Sequence, residues 1–146
     1  MYNGLLHAHS GLRWIVLILL LLAVIKALSG WFADKDYSKG DKMLSLFTMI
    51  FTHIQFLIGL GLYFMSPKVV FSGDTMGNTI HRFFTVEHML MMLIAIALIT
   101  IGYGKAKRAT ETIQKHKKTT IYYGIALLII LAAIPWPFRA LGAGWF

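Results

Sequence analysis

The sequence contains no cysteine. Disulfides, thiolate metal centres, iron–sulfur clusters and covalently attached c-type haem are therefore excluded. Acidic residues are scarce: six Asp and Glu stand against fourteen Lys and Arg in 146 residues, a formal net charge of +8. Proline is confined to positions 67, 135 and 137, where it stops apolar runs rather than interrupting them. The first apolar run has no basic stretch ahead of it and no small-residue cleavage pattern. It also exceeds the ~7–15 residues of a signal-peptide core, so a cleaved signal is not expected.

What the chain has in excess is apolar surface. It is 58% hydrophobic, with mean hydropathy +0.68. A soluble domain of this length could not bury that much, so the composition points to the lipid bilayer. Four runs are near the ~20 residues a helix needs to cross ~30 Å of hydrocarbon: residues 11–32, 43–65, 83–104 and 119–134. The alternating ~10-residue segments of a membrane barrel are missing. The expected fold is all-α, a single integral membrane four-helix up-and-down bundle.

The basic residues gather between the spans, as topogenic charge does, so nucleic acid is not an expected partner. The loops at 33–42 and 105–118 hold Lys35, Lys39, Lys42, Lys105, Lys107, Arg108, Lys115, Lys117 and Lys118, whereas the other side holds Lys68, Arg82 and Arg139. The positive-inside rule then puts these two loops in the cytoplasm and both termini outside.

Polar residues inside the spans carry the functional signal. Histidines 9, 53 and 88 lie in or at the edge of three different spans. On span 2, Ser45, Thr48, Thr52, Gln55 and Gly59 form one stripe at helical spacing, and His53 lies about 100° off it. On span 3, His81, Thr85, His88, Met92, Ala95 and Ile99 share a face, and Glu87 projects about 100° away from His88. Glu87 is therefore expected to meet Arg13 or Arg82. His9 and Arg13 lie one turn apart on one face. Loops leave His7, His81 and His116 closer to water.

Two imidazoles from facing helices in an apolar slot are what a b-type haem needs, with arginines at the membrane edge for its propionates. Counting 1.5 Å per residue from the expected span ends puts His9 about at the surface. His53 and His88 are both inside. The expected axial pair is therefore His53 with His88, and His9 is the substitute. Gln55, Arg13, Arg82 and Glu87 complete the candidate cofactor-binding set. No catalytic residue is assigned. Met89, Met91 and Met92 beside His88 suit Cu(I) as donors but do not share a face.

The segments HSGLRW at 9–14, THIQFLIGLGLYF at 52–64, RFFTVEHMLMM at 82–92 and IPWPFR at 134–139 resemble small four-helix bacterial membrane proteins labelled cytochrome b. The architecture is loosely similar to the cytochrome b561-like class. The resemblance implies haem b, a bacterial inner membrane and electron transfer with quinone. A redox partner protein and a homo-oligomer or larger complex are open alternatives for its partners. Span 4 has no histidine, which departs from the four ligands of two-haem members. A second reading is a non-enzymatic membrane subunit, chaperone or small metal or proton transporter, in which the His, Glu and Arg residues form an interhelical network.

Overall fold

A computed structural model describes all 146 residues. It contains helices and no strand. Helix α1 spans Tyr2–Phe32 and α2 Lys39–Met65. Helix α3 covers Thr79–Arg108 and α4 Thr112–Ala133. Single 3₁₀ turns lie at Thr75–Gly77 and Pro137–Arg139. Helices α1, α2 and α3 are each long and apolar enough to cross a membrane. Helix α4 begins with the mostly polar stretch Thr112–Lys118, which leaves a shorter apolar stretch from Thr119 to Ala133.

Two helices begin well before their apolar runs. Helix α1 starts at Tyr2 rather than at residue 11. Residues 1–10 carry no side-chain charge apart from histidine and no proline, so nothing stops the helix from continuing through them. Helix α4 starts at Thr112 rather than at residue 119. His116 is consequently not a solvated loop residue. It is 1% exposed, and its Nε2 lies 3.1 Å from the Lys35 carbonyl. Gly30 makes room for it, because a Cβ there would overlap the His116 ring.

Helix α1 packs on α2 and α4, and α3 packs on α4 and α2. The core joins Leu17, Leu20 and Ala23 of α1 to Ala95 and Ile99 of α3 and to Tyr123, Ala126 and Ile130 of α4. Small residues let the backbones approach. On the α2 stripe, Ser45, Thr48 and Thr52 are all buried. Tyr123 is fully buried, and its hydroxyl donates to the Ser45 carbonyl at 2.7 Å. Tyr123→Phe should cost about 1 kcal/mol, read from the denaturation midpoint of the purified protein.

The end of the molecule bearing the 33–42 loop is tied by charge. Ser38 caps α2 in a capping box with Asp41, which also meets Lys26 of α1 at 3.1 Å. Burial pushes the Asp41 carboxyl up. The Ser38 amide and hydroxyl and the Lys26 ammonium outweigh it and hold the carboxyl below its ordinary value.

Candidate functional site

The opposite end is shaped by proline. Prolines 135 and 137 have no N–H to give to the carbonyls four residues earlier, Leu131 and Ala133. Side chains take the freed acceptors. Trp136 Nε1 donates to Leu131 O at 2.9 Å, and Arg139 donates to Ala132 O at 2.9 Å. His88 Nδ1 lies 2.8 Å from Ala133 O. A carbonyl only accepts, so Nδ1 carries the hydrogen and Nε2 keeps its lone pair.

His88 follows a π-turn at Phe83–Glu87, closed by the bond from the His88 N–H to the Phe83 carbonyl. Such a turn inserts one residue into the helix and re-aims the side chains around it. Tyr63 of α2 donates to the Thr85 carbonyl within it at 2.8 Å, and the Thr85 hydroxyl accepts from the Val70 N–H at 2.9 Å. The turn is thus held from α2 and from the loop before α3.

His9 faces His88 from α1. The ring centroids are 6.4 Å apart, with the planes at 76°. Gln55 of α2 donates to the His9 carbonyl at 2.8 Å. Gly59, one turn further on, lies against the His9 ring: a Cβ there would sit 2.9 Å from Cε1. Two buried atoms here have no partner, His9 Nδ1 and Gln55 Oε1. Arg13, a turn below His9, donates to the Trp145 carbonyl at 2.5 Å. Its guanidinium stands 5.3 Å from the Trp14 ring and 5.9 Å from the Trp136 ring. Its Nε is also buried without a partner.

These side chains line a cavity of about 210 Å³. Fifteen of its 27 lining residues are hydrophobic, including Phe84, Met89, Met92, Ile96 and Phe146. The C-terminal segment borders it through Gly142, Ala143, Gly144 and Phe146. Lys68 Nζ holds that segment at the Gly142 carbonyl, and Trp14 Nε1 does so at the Trp145 carbonyl, 3.0 Å away.

Of the seven candidate residues, His9, Arg13, Gln55 and His88 line this cavity, while His53, Arg82 and Glu87 do not. His53 turns outward and bonds Thr100 of α3, with 2.8 Å between Nε2 and Oγ1. The structure therefore pairs His88 with His9 rather than with His53. Helix α1 begins at Tyr2, so it carries His9 to the level of His88. His9 then lies about 10 Å inside its helix and His88 about 13 Å inside α3. Glu87 pairs with Arg82 at 2.8 Å, the side chains being 42% and 35% exposed. Such a pair contributes ~1 kcal/mol or less. Glu87→Gln should leave the denaturation midpoint within that margin and leave ligand binding in the cavity unchanged.

The sequence reading missed Tyr63, the Ala133 carbonyl and the C-terminal segment as parts of this site. Tyr63 could have been found, since it continues the helical spacing from Gln55 and Gly59. No group of three or more His, Asp or Glu side chains comes together, so any metal held by protein here would rest on the histidine pair. No protein-family profile, curated protein or solved structure matches the chain.

Proposed function

We propose that this chain is an integral membrane protein, a four-helix up-and-down bundle that holds one b-type haem between α1 and α3. His9 and His88 would hold its iron. The supporting observation is their separation. The ring centroids are 6.4 Å apart, close enough for one metal ion to reach a nitrogen of each ring at about 2 Å.

Other features fit the same group. The bond from His88 Nδ1 to Ala133 O is the outer partner that metal-binding histidines have, and it leaves the ligating nitrogen free. The apolar lining suits a macrocycle, and Arg13 would meet a propionate. The cavity is smaller than the ~300 Å³ at which cofactor sites usually begin. Haem entry therefore requires Met89, Met92 and the segment around Phe146 to move aside. Unbranched methionines suit that role.

Bound there, the haem supplies reversible one-electron transfer, with quinone or a redox protein as partner. The chain's own contribution is to exclude water, fix the imidazoles and balance propionate charge. The lysine and arginine counts favour cytoplasmic 33–42 and 105–118 loops in a bacterial inner membrane, with the His9–His88 end towards the outer face.

The test is the reduced-minus-oxidised absorption spectrum of detergent-purified protein expressed with ample haem. A Soret band and a sharp reduced α-band support the reading. Colourless protein overturns it. The small cavity and the interhelical bonds of Gln55, Tyr63 and Tyr123 favour a second reading, a membrane subunit or small transporter with a polar network. That reading expects colourless protein whose stability is independent of haem.

A further inference from the structure

Arg13 and Lys68 both line the cavity, and neither has an acid. The ion pairs of the molecule are Lys26–Asp41 and Arg82–Glu87. Both free cations are instead held by backbone carbonyls of one short segment, residues 142–146. Lys68 Nζ donates to Gly142 O and Arg13 Nη2 to Trp145 O, each at 2.5 Å. The buried Arg13 Nε has no partner at all. A carbonyl offers such a cation a dipole. A carboxylate offers a full opposite charge and, for arginine, a two-pronged match.

Little else holds the segment down. Its last buried anchor is Leu141, 5% exposed, whereas Trp145 and Phe146 are 49% and 75% exposed. Ala140 and Gly142, on either side of Leu141, both have left-handed φ, 56° and 76°, so the chain turns sharply at that anchor. Beyond it, Trp14 Nε1 shares the Trp145 carbonyl at 3.0 Å, and the two indoles stack with centroids 6.3 Å apart. The segment itself carries no charged side chain.

We infer that residues 142–146 are a gate over the cavity, held shut by Arg13 and Lys68 and opened by a ligand whose acid groups take those two cations. The inference deepens the haem reading and rests on it for the ligand's class, a flat apolar body with two carboxylates at one edge. The apolar body displaces Phe146 from the lining. The carboxylates replace the Gly142 and Trp145 carbonyls. A ligand shifts a two-state element only by what it binds better in one state, and here the acids supply that difference. The same ring without acids leaves both cations on the gate.

The absence of cysteine allows a single nitroxide label on Gly144→Cys, where a Cβ meets nothing closer than the Phe146 carbonyl at 3.6 Å. Its resonance line shape is read in the full chain purified in detergent. Zinc mesoporphyrin is the probe, being diamagnetic, with two propionates and a metal that takes imidazole. Its dimethyl ester is the same ring without the acids. A restricted label is expected in the empty protein and a mobile one at saturation with the diacid. The ester should need about tenfold or more the concentration for the same change. Lys68→Met, with helix content unchanged by circular dichroism, should loosen the label before any porphyrin is added. The gate is overturned by a label already mobile in the unaltered empty protein, by diacid that leaves it restricted, by equal response to diacid and ester, or by a restricted label in folded Lys68→Met. Haem uptake by the unlabelled chain separates the two readings. Any of those results in a chain that takes haem overturns the gate alone. A chain that takes neither haem nor the zinc porphyrin overturns the haem reading and the gate with it.

Discussion

His9→Leu is expected to lose at least nine-tenths of the haem bound by the unaltered protein, measured as Soret absorbance per chain. The loss is on the order of tenfold or more because even outer partners of a metal ligand are worth 10- to 100-fold in affinity. His9 is the cleaner of the two ligand positions to alter. Its ring holds no backbone group, and its Nδ1 is unpartnered. His88→Leu should lose haem equally, but it also releases the Ala133 carbonyl and so lowers stability by about 1–3 kcal/mol. His9→Met, which restores a haem ligand of different basicity, should recover binding with a shifted α-band. His53→Leu should keep the full haem complement. A protein that loses haem with His53→Leu and keeps it with His9→Leu would reverse the ligand assignment.

The second large effect concerns the α3–α4 contact. Gly102 lies where a Cβ would overlap the Cβ of Tyr122. The obstacle is close to the α4 backbone and cannot swing away as the end of a long side chain could. Gly102→Ala must therefore push the two helices apart. It should cost about 1–3 kcal/mol, the range for overpacking, despite the ~1 kcal/mol that alanine gains over glycine in a helix. Gly124 on α4 is the control, since a Cβ there meets nothing within 4 Å. Gly124→Ala should be neutral or raise the melting temperature slightly. Thermal unfolding of both variants in one detergent compares them directly. Equal behaviour of the two would contradict the close approach.

Much of this arrangement was legible in the residues. The runs of apolar side chains gave the helices. The stripe of Ser45, Thr48, Thr52, Gln55 and Gly59 faces inward, as its spacing suggested, and helical phase separated Glu87 from His88. Position along the axis was harder to read. Hydropathy marks where a segment becomes apolar, whereas a helix ends where its backbone is interrupted. Nothing interrupts residues 2–10, so His9 lies about two turns inside its helix and not ahead of it. The same cause hid the burial of His116.

The phase of His53 against the polar stripe was visible too, and it already pointed the imidazole away from the partners of Gln55. The structure keeps that phase: His53 turns outward to Thr100 and lies away from the cavity that His9 and His88 line. The proline-rich stop after α4 was plain. That its unpaired carbonyls would fix the tautomer of a histidine on another helix was not, because the contact joins residues far apart in sequence.

Electron paramagnetic resonance of the oxidised, haem-loaded protein tests the central claim most directly. Two imidazoles on one ferric iron give a low-spin signal, and planes near perpendicular, 76° here, leave the iron orbitals close in energy and make that signal strongly anisotropic. Such a signal is expected at one haem per chain, and it should be lost in His9→Leu. A purely high-spin signal, or a low-spin signal that His9→Leu leaves intact, would contradict it.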